Sequence, residues 1–281
     1  MVSLPVLYAA VLFSAFTHAA WNAMVKKSGD RLLMLAAIRS VGLVAGIIAA
    51  IMVPLPSAES IPYLTAAALA HYIYYAMMLN AYRLGDISQV YPISRGTAPL
   101  VVVLLGFLFA GELLSGWTVL AICIVSSGIL ILSVSGSRIS RPALLFALAT
   151  GLAISGYSFL SGLGVRESAS MLAYIAWLEI AKGGGMVIFA GVRRRYKAVT
   201  YIKENWRSSV VAGFLSVFSW TVSVAVMSVA PIAPVVALRV TSVVFAAIMG
   251  TLLLKEGYAT RRITAAAIVM AGVMLLGWAS S

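Results

Sequence analysis

The sequence predicts an all-α integral membrane protein of ten transmembrane helices, built as two five-helix repeats that cross the bilayer in opposite directions. Three observations carry this. Hydrophobic residues make up 62% of the chain and charged residues 10%, against roughly 45–50% and 25% in soluble domains. The apolar residues fall in blocks of about 20, the length that crosses a hydrocarbon core of about 30 Å as a helix. The stretch PISRGTAPLVVVLLGFLFAGE at 92–112 is matched without a gap, 144 positions on, by VALRVTSVVFAAIMGTLLLKE at 236–256. Arg95 meets Arg239, Thr97 meets Thr241, Gly106 meets Gly250 and Glu112 meets Glu256; the match continues with Val125 on Val269 and Gly128 on Gly272. Repetition of this kind sets the architecture before any local reading does. It divides the chain at about 1–137 and 138–281.

The spans are expected at 4–25, 32–53, 61–82, 87–110, 116–135, 142–163, 170–191, 207–229, 233–254 and 261–279. In the first, Lys26 and Lys27 follow the apolar stretch instead of preceding it, which predicts a retained helix and not a cleaved signal. Pro54 and Pro56 close the second. The third, PYLTAAALAHYIYYAMMLNAY, is the most polar. The fourth carries interior prolines Pro92 and Pro99, which free backbone carbonyls and mark it as a hinge or a cavity wall. Pro142 opens the sixth, and Pro231 and Pro234 open the ninth, where a missing N–H costs nothing. The longest connection, 192–206, holds RRRYK and divides spans seven and eight, so it is no domain boundary.

Charge sets the orientation. The net charge of +12 resides in short loops, where it reads as a topology signal and a contact to anionic lipid, not as a nucleic-acid surface. Lys and Arg cluster after odd-numbered spans (Lys26, Lys27 and Arg31; Arg83; Arg138 and Arg141; Arg193 to Arg195; Arg261 and Arg262), while the other side has Arg166 alone. Odd loops are therefore expected in the cytoplasm and both termini outside. Five spans per half is an odd number, so the second half inserts upside down. Inverted repeats of this kind are a recurrent design of secondary transporters, with the solute site at the midplane between halves. Cys123, the one cysteine, has no partner for a disulfide.

In each half, a helix ending in Glu is followed by a glycine-bearing helix: LFAGELLSGWTVLAICIVSSGILIL and LLLKEGYATRRITAAAIVMAGVMLLG. With ten spans in two repeats, the chain resembles the drug/metabolite transporter superfamily, EamA type, over nearly its whole length, and within it bacterial amino-acid exporters, the aromatic amino-acid group included. The resemblance implies alternating access through a pathway formed by the third, fourth, eighth and ninth helices. It also implies residence in a bacterial inner membrane, with both termini periplasmic.

Polar residues inside a membrane are functional candidates by default. His71, Tyr75, Met78 and Tyr82 are spaced i, i+4, i+7, i+11 and share one helix face. That face suits a solute with a ring or an alkyl group. Ser14, Thr17, His18, Trp21 and Asn22 form a similar face on span one, with Trp21 either a cavity residue or an interfacial belt residue. Ser158 and Ser161 fall at the positions of His18 and Trp21 at an offset of 140, and are expected to leave a space beside Tyr157. Arg95 and Arg239 suit a substrate carboxylate. Arg95 lies about 25 Å along the helix from Glu112, so the two arginines either serve gates near the two boundaries or anchor helices there. Tyr91, Trp177 and Trp220 complete the expected substrate pocket.

Glu179 and Lys182 are three residues apart and able to neutralise each other; at an offset of 140 Glu179 also matches Arg39, which allows an ion pair between halves. Glu179 is the acid nearest mid-membrane and the candidate for proton coupling. Glu112 and Glu256 are expected to cap the following helix or hold a loop. Glycines 183–185 and the small residues of spans five and ten offer surfaces for a homodimer.

No Walker loop, GxSxG motif or metal-spaced His/Cys set occurs, so no catalytic residue, metal or cofactor is expected and a self-contained ATP-driven pump is excluded. The expectation is export of small metabolites, amino acids including aromatic ones foremost, with efflux of drugs or of metabolites such as nucleosides as the alternative. An integral-membrane enzyme acting on lipid-linked substrates is disfavoured by the missing acid/base motif.

Overall fold

The computed structural model describes residues 3–134, 138–254 and 259–279. Glu256 and the expected boundary at residue 137 lie outside them. The described residues form helices α1 (Leu4–Lys27), α2 (Arg31–Met52), α3 (Ile61–Leu84), α4 (Ile87–Phe109), α5 (Gly116–Ile131), α6 (Arg141–Glu167), α7 (Met171–Arg194), α8 (Tyr196–Met227), α9 (Ile232–Val240), α10 (Ser242–Leu254) and α11 (Ala259–Trp278), with one 3-10 turn at Ala58–Ser60 before α3. Eight segments are long and apolar enough to cross a membrane, with α9 and the start of α10 counting as one, Ile232–Met249. α5, at 16 residues, is a shorter apolar helix. α3 is 24 residues long but carries His71, five tyrosines and Asn80. The chain is an all-α, multi-pass membrane protein. Large apolar side chains such as Ile51, Phe109, Val192 and Ile263 are mostly exposed; water would not tolerate that much bare apolar surface on a monomer, whereas lipid does.

Helix ends follow local chemistry. The Asp30 carboxylate accepts from Leu32 N and Leu33 N at the start of α2, and Ser115, Ser140 and Ser170 do the same for α5, α6 and α7. Each satisfies amide groups that a first turn leaves orphaned.

The helices pair in a repeating way. α1 packs on α8 and α3 on α6; α2 packs on α8 and α3 on α7; α4 packs on α6, and α1 on α9 and α10. α2 and α7 pack on each other, as do α5 and α11 and also α4 and α9. The α5–α11 crossing is reciprocal. A Cβ on Gly128 would come within 2.8 Å of a Val269 methyl, and one on Gly272 within 2.8 Å of a Val125 methyl. Only a bare glycine lets two such helices approach this closely.

Two expectations need correction. The segment 192–206 is not a loop: α7 runs to Arg194, Arg195 turns the chain at φ 48°, and α8 starts at Tyr196 and bends at Asn205. Its apolar and aromatic residues (Tyr196, Val199, Ile202, Trp206) are exposed alternately with basic ones, as in a helix lying on a membrane surface. α4 is assigned as one continuous helix that contains Pro92 and Pro99, and an interruption occurs at Thr241, between α9 and α10. There the Thr241 hydroxyl and amide both donate to Leu238 O, at 2.6 and 3.2 Å, tightening one turn to 3-10 geometry. Of the glycines offered as dimer surfaces, Gly183 faces the Arg39 carbonyl and Leu43, Gly185 faces Tyr72, and Gly128 and Gly272 face α11 and α5, while a Cβ on Gly184 would meet nothing within 4 Å. The other correction concerns Glu112, which does not cap the helix that follows it.

Candidate functional site

A cavity of about 130 Å³ lies among α1, α2, α3, α4, α6, α7, α8 and α9. At roughly 10–15 Å³ per water, it has room for a solute of about ten non-hydrogen atoms. Its deep part is aromatic. His71 stacks on Tyr157 at 4.0 Å between centroids and 23° between planes, and Trp220 meets both edge-on, at 5.2 and 5.7 Å. The His71 Nδ1–H donates to Ala67 O at 2.8 Å, which fixes the ring. Tyr74 packs against Tyr75 and Tyr157. Toward the turn between α1 and α2 the lining becomes Asn22, Val25, Arg31, Leu32, Met78, Leu79 and Tyr82, several of them half-buried or exposed. The cavity therefore reaches the end of the bundle where basic residues cluster.

The charges are distributed unevenly. Among the described residues five cationic side chains line the cavity, Arg31, Arg39, Arg95, Lys182 and Arg239, and no carboxylate does. Glu179 stands behind the wall. Its Oε1 is 2.6 Å from Lys182 Nζ and its Oε2 is 3.9 Å from Arg39 Nη1; Arg39 also donates to Ser216 Oγ at 2.8 Å. Both expected pairings of Glu179 thus occur together, one within α7 and one between halves. Arg95 and Arg239 have no such partner. Arg95 is 3% exposed, donates to Tyr74 Oη at 3.1 Å and lies over the rings of Tyr91 and Tyr74, at 5.3 and 5.8 Å. Arg239 is 8% exposed, lies over Trp220 at 4.8 Å and approaches His18 Nδ1 at 3.4 Å. Such faces stabilise a guanidinium by cation–π attraction without neutralising it. Among the described residues the Nε of each, like that of Arg39, and His18 Nε2 find no hydrogen-bond partner.

The structure brings most of the expected pocket residues together. His18, Trp21, His71, Tyr75, Met78, Tyr82, Arg95, Tyr157, Trp220 and Arg239 line one cavity. Trp21 is buried against His18 and beneath Arg39, so it is no belt residue. Arg95 and Arg239 are not spread to the two boundaries; both are buried at the same cavity. Tyr91 touches it only through Arg95. Trp177, Pro92 and Pro99 do not line it, and neither do the buried Ser158 and Ser161, although Tyr157 beside them does.

The lining also holds residues outside the expected pocket, among them Tyr74, Arg39 and Lys182. Tyr74 sits three residues after His71 and four before Met78, on the edge of the same face, a spacing that was available to find it. Arg39 and Lys182 were read only as an ion-pair group.

The far end of the bundle is closed by a charged clasp. Arg166, near the end of α6, donates to Glu112 Oε1 at 2.7 Å, to Ala230 O at 2.8 Å and to Met227 O at 3.0 Å. Glu112 in turn accepts from Ile232 N at 3.0 and 3.1 Å. The carboxylate therefore caps α9 in the other half, while α5 is capped by Ser115. Gly111, at φ 62°, makes the turn that presents Glu112; glycine adopts that conformation at no steric cost.

No family profile and no curated protein matches the chain. A solved structure, described only as a crystal structure of a protein, aligns with a TM-score of 0.73 and 15% identity, over 98% of this chain and 96% of its own. At that identity the likeness concerns the fold alone.

Proposed function

We propose that the chain is a secondary transporter of the drug/metabolite superfamily, EamA type, that exports small metabolites, amino acids including aromatic ones among them, through alternating access of two inverted five-helix halves. The observation that carries this reading is the cavity. It draws Trp21, Arg39, His71 and Arg95 from the first half and Tyr157, Lys182, Trp220 and Arg239 from the second. It reaches one end of the bundle, and the Glu112–Arg166 clasp holds the other.

The helix pairings support the repeat. Exchanging α1–α5 with α6–α11 turns the α1·α8 contact into α6·α3, α2·α8 into α7·α3 and α4·α6 into α9·α1, all of which occur. It returns α2·α7 and α5·α11 to themselves, and the Gly128–Val269 and Gly272–Val125 approaches are likewise interchanged. Two like halves of opposite orientation are able to trade conformations, which converts access from one side into access from the other. On this reading the basic loops are cytoplasmic, the termini are periplasmic, and the cavity here opens inward.

The test is counterflow in proteoliposomes with a panel of labelled amino acids, aromatic and aliphatic carboxylates, and nucleosides. Accumulation of a labelled solute against an internal unlabelled pool is expected. Counterflow of nucleosides alone would move the reading to the alternative substrate class. No counterflow for any solute would remove the transport reading.

A further inference from the structure

The substrate class is open to a sharper reading, one that rests on the transport proposal above. A zwitterionic amino acid brings a carboxylate and an ammonium, and a site built for it needs an acceptor of charge for each. The cavity has ample cationic groups for the first and no carboxylate for the second. The acid nearest to it, Glu179, lies outside the lining, paired with Lys182 at 2.6 Å and with Arg39 at 3.9 Å. Three of the lining aromatic faces that would attract an ammonium already carry cations: Trp220 has Lys182 at 4.3 Å and Arg239 at 4.8 Å, Tyr74 has Arg95, and Trp21 has Arg39. An ammonium placed against these faces meets like charge.

Burying a cation without a counter-charge is costly, and in membrane interiors such residues mark solute pathways. Arg95 and Arg239 are both more than nine-tenths buried, and each leaves its Nε–H without an acceptor. A guanidinium meets a carboxylate through two parallel hydrogen bonds, which would satisfy both charge and donors here. The His71–Tyr157 stack and Trp220 supply flat apolar surface beside them.

We infer that the site takes aromatic organic anions: a ring bearing a carboxylate, with net negative charge, in preference to the corresponding zwitterionic amino acid.

The experiment uses the full-length protein and three probes with the same ring and chain length: 3-phenylpropionate, an anion; phenylalanine, a zwitterion; and phenethylamine, a cation. Binding is followed by tryptophan fluorescence in detergent, since Trp21 and Trp220 line the cavity, and transport by counterflow. The anion is expected to bind at least tenfold more tightly than phenylalanine, and the amine not at all. Phenyl phosphate is a further arm; tighter binding of it than of the carboxylate would reassign the anionic group to phosphate and overturn the carboxylate assignment. Arg95→Gln and Arg239→Gln are expected to reduce the anion's advantage over phenylalanine by tenfold or more. The wild-type series stands without these variants should either fail to fold. Phenylalanine binding as tightly as 3-phenylpropionate, or more so, would overturn the inference while leaving transport of amino acids intact. Counterflow of other solutes with none of the three probes bound would overturn it too and leave the transport reading standing, whereas silence across the whole panel removes both.

Discussion

Two pairs of cations share the cavity and have different company. Arg39 and Lys182 flank Glu179, which lies 3.9 and 2.6 Å away. Arg95 and Arg239 face rings, a phenol and an imidazole. All four are buried, so all four gave up hydration. The first pair is compensated by the chain itself and joins α2 to α7. The second is compensated by nothing of comparable charge among the described residues. The same residue type therefore has two roles in one cavity, and the position of a single carboxylate decides which. The clasp at the closed end belongs with the first pair: Arg166 has its acid, and together they join α6, α8 and α9.

The largest expected effect tests that division. Glu179→Gln leaves Arg39 and Lys182 buried with no counter-charge, and breaking a buried pair from one side costs about 3–5 kcal/mol. The melting temperature in detergent should fall steeply. The double change Glu179→Gln with Lys182→Met removes one of the stranded charges and should recover part of the loss. Arg239→Met, by contrast, deletes a cation that has no internal acid, and should leave the melting temperature unchanged or raise it. Equal melting of Glu179→Gln and the unaltered protein would erase the distinction between the two pairs.

That distinction was half legible in the sequence. The spacing of Glu179 and Lys182, and the offset that sets Glu179 on Arg39, state both ion pairs before any coordinates. Helical periodicity states the face holding His71, Tyr75, Met78 and Tyr82. What periodicity leaves out is depth. Arg95 was reckoned from Glu112 as lying near a boundary, because a count of residues says nothing about which neighbours close over a side chain. Helix breaks are poorly legible too: Pro92 and Pro99 stand out in the composition, yet α4 is assigned as one helix through both. Thr241 announces nothing, yet interrupts its helix through its own hydroxyl. The segment 192–206 was read as a loop because basic residues dominate it; its apolar residues fit an interfacial helix, which a search for spans passes over.

The clasp gives the next effect in size. Glu112→Gln keeps the shape but weakens the charge-assisted bonds to Arg166 and to Ile232 N. Hydrogen bonds to charged groups contribute about 1.5–3 kcal/mol, enough to shift a two-state equilibrium by roughly tenfold or more. A cysteine introduced at Val229, which is exposed beside the clasp, should be labelled no faster, whereas one introduced at buried Ile232 should be labelled about tenfold faster in the Glu112→Gln background. Arg166→Gln should act similarly, and the double variant should fall short of the sum, because the two residues serve one interaction. Unaltered labelling at 232 would reduce the clasp to surface decoration.

The aromatic floor contributes less. Tyr157→Leu removes the 4.0 Å stack on His71 and the edge contact with Trp220, and such pairs are worth about 0.5–1.5 kcal/mol beyond their buried area. A loss of a few degrees in melting temperature and a several-fold weaker affinity for ring-bearing solutes are expected, with affinity for an aliphatic carboxylate of equal charge much less affected. A uniform loss for both kinds of solute would mean that Tyr157 supports the cavity wall and does not touch the ring.

The smallest effect separates the mouth from the interior. Arg31 lines the cavity but is exposed, at the start of α2, so its charge remains in water. Substitutions at such sites usually change stability by less than about 0.5 kcal/mol. Its contribution is long-range attraction of an incoming anion, which salt screens over about 10 Å at 0.1 M and about 3 Å at 1 M. Arg31→Gln should therefore slow initial uptake of an anionic solute a few-fold at low salt and have no effect at high salt. Arg239→Gln, whose charge is shielded from ions by the protein around it, should keep its defect at both. Should Arg31→Gln instead persist as a defect at high salt, the mouth would be part of the binding site, and the unpartnered cations would number three.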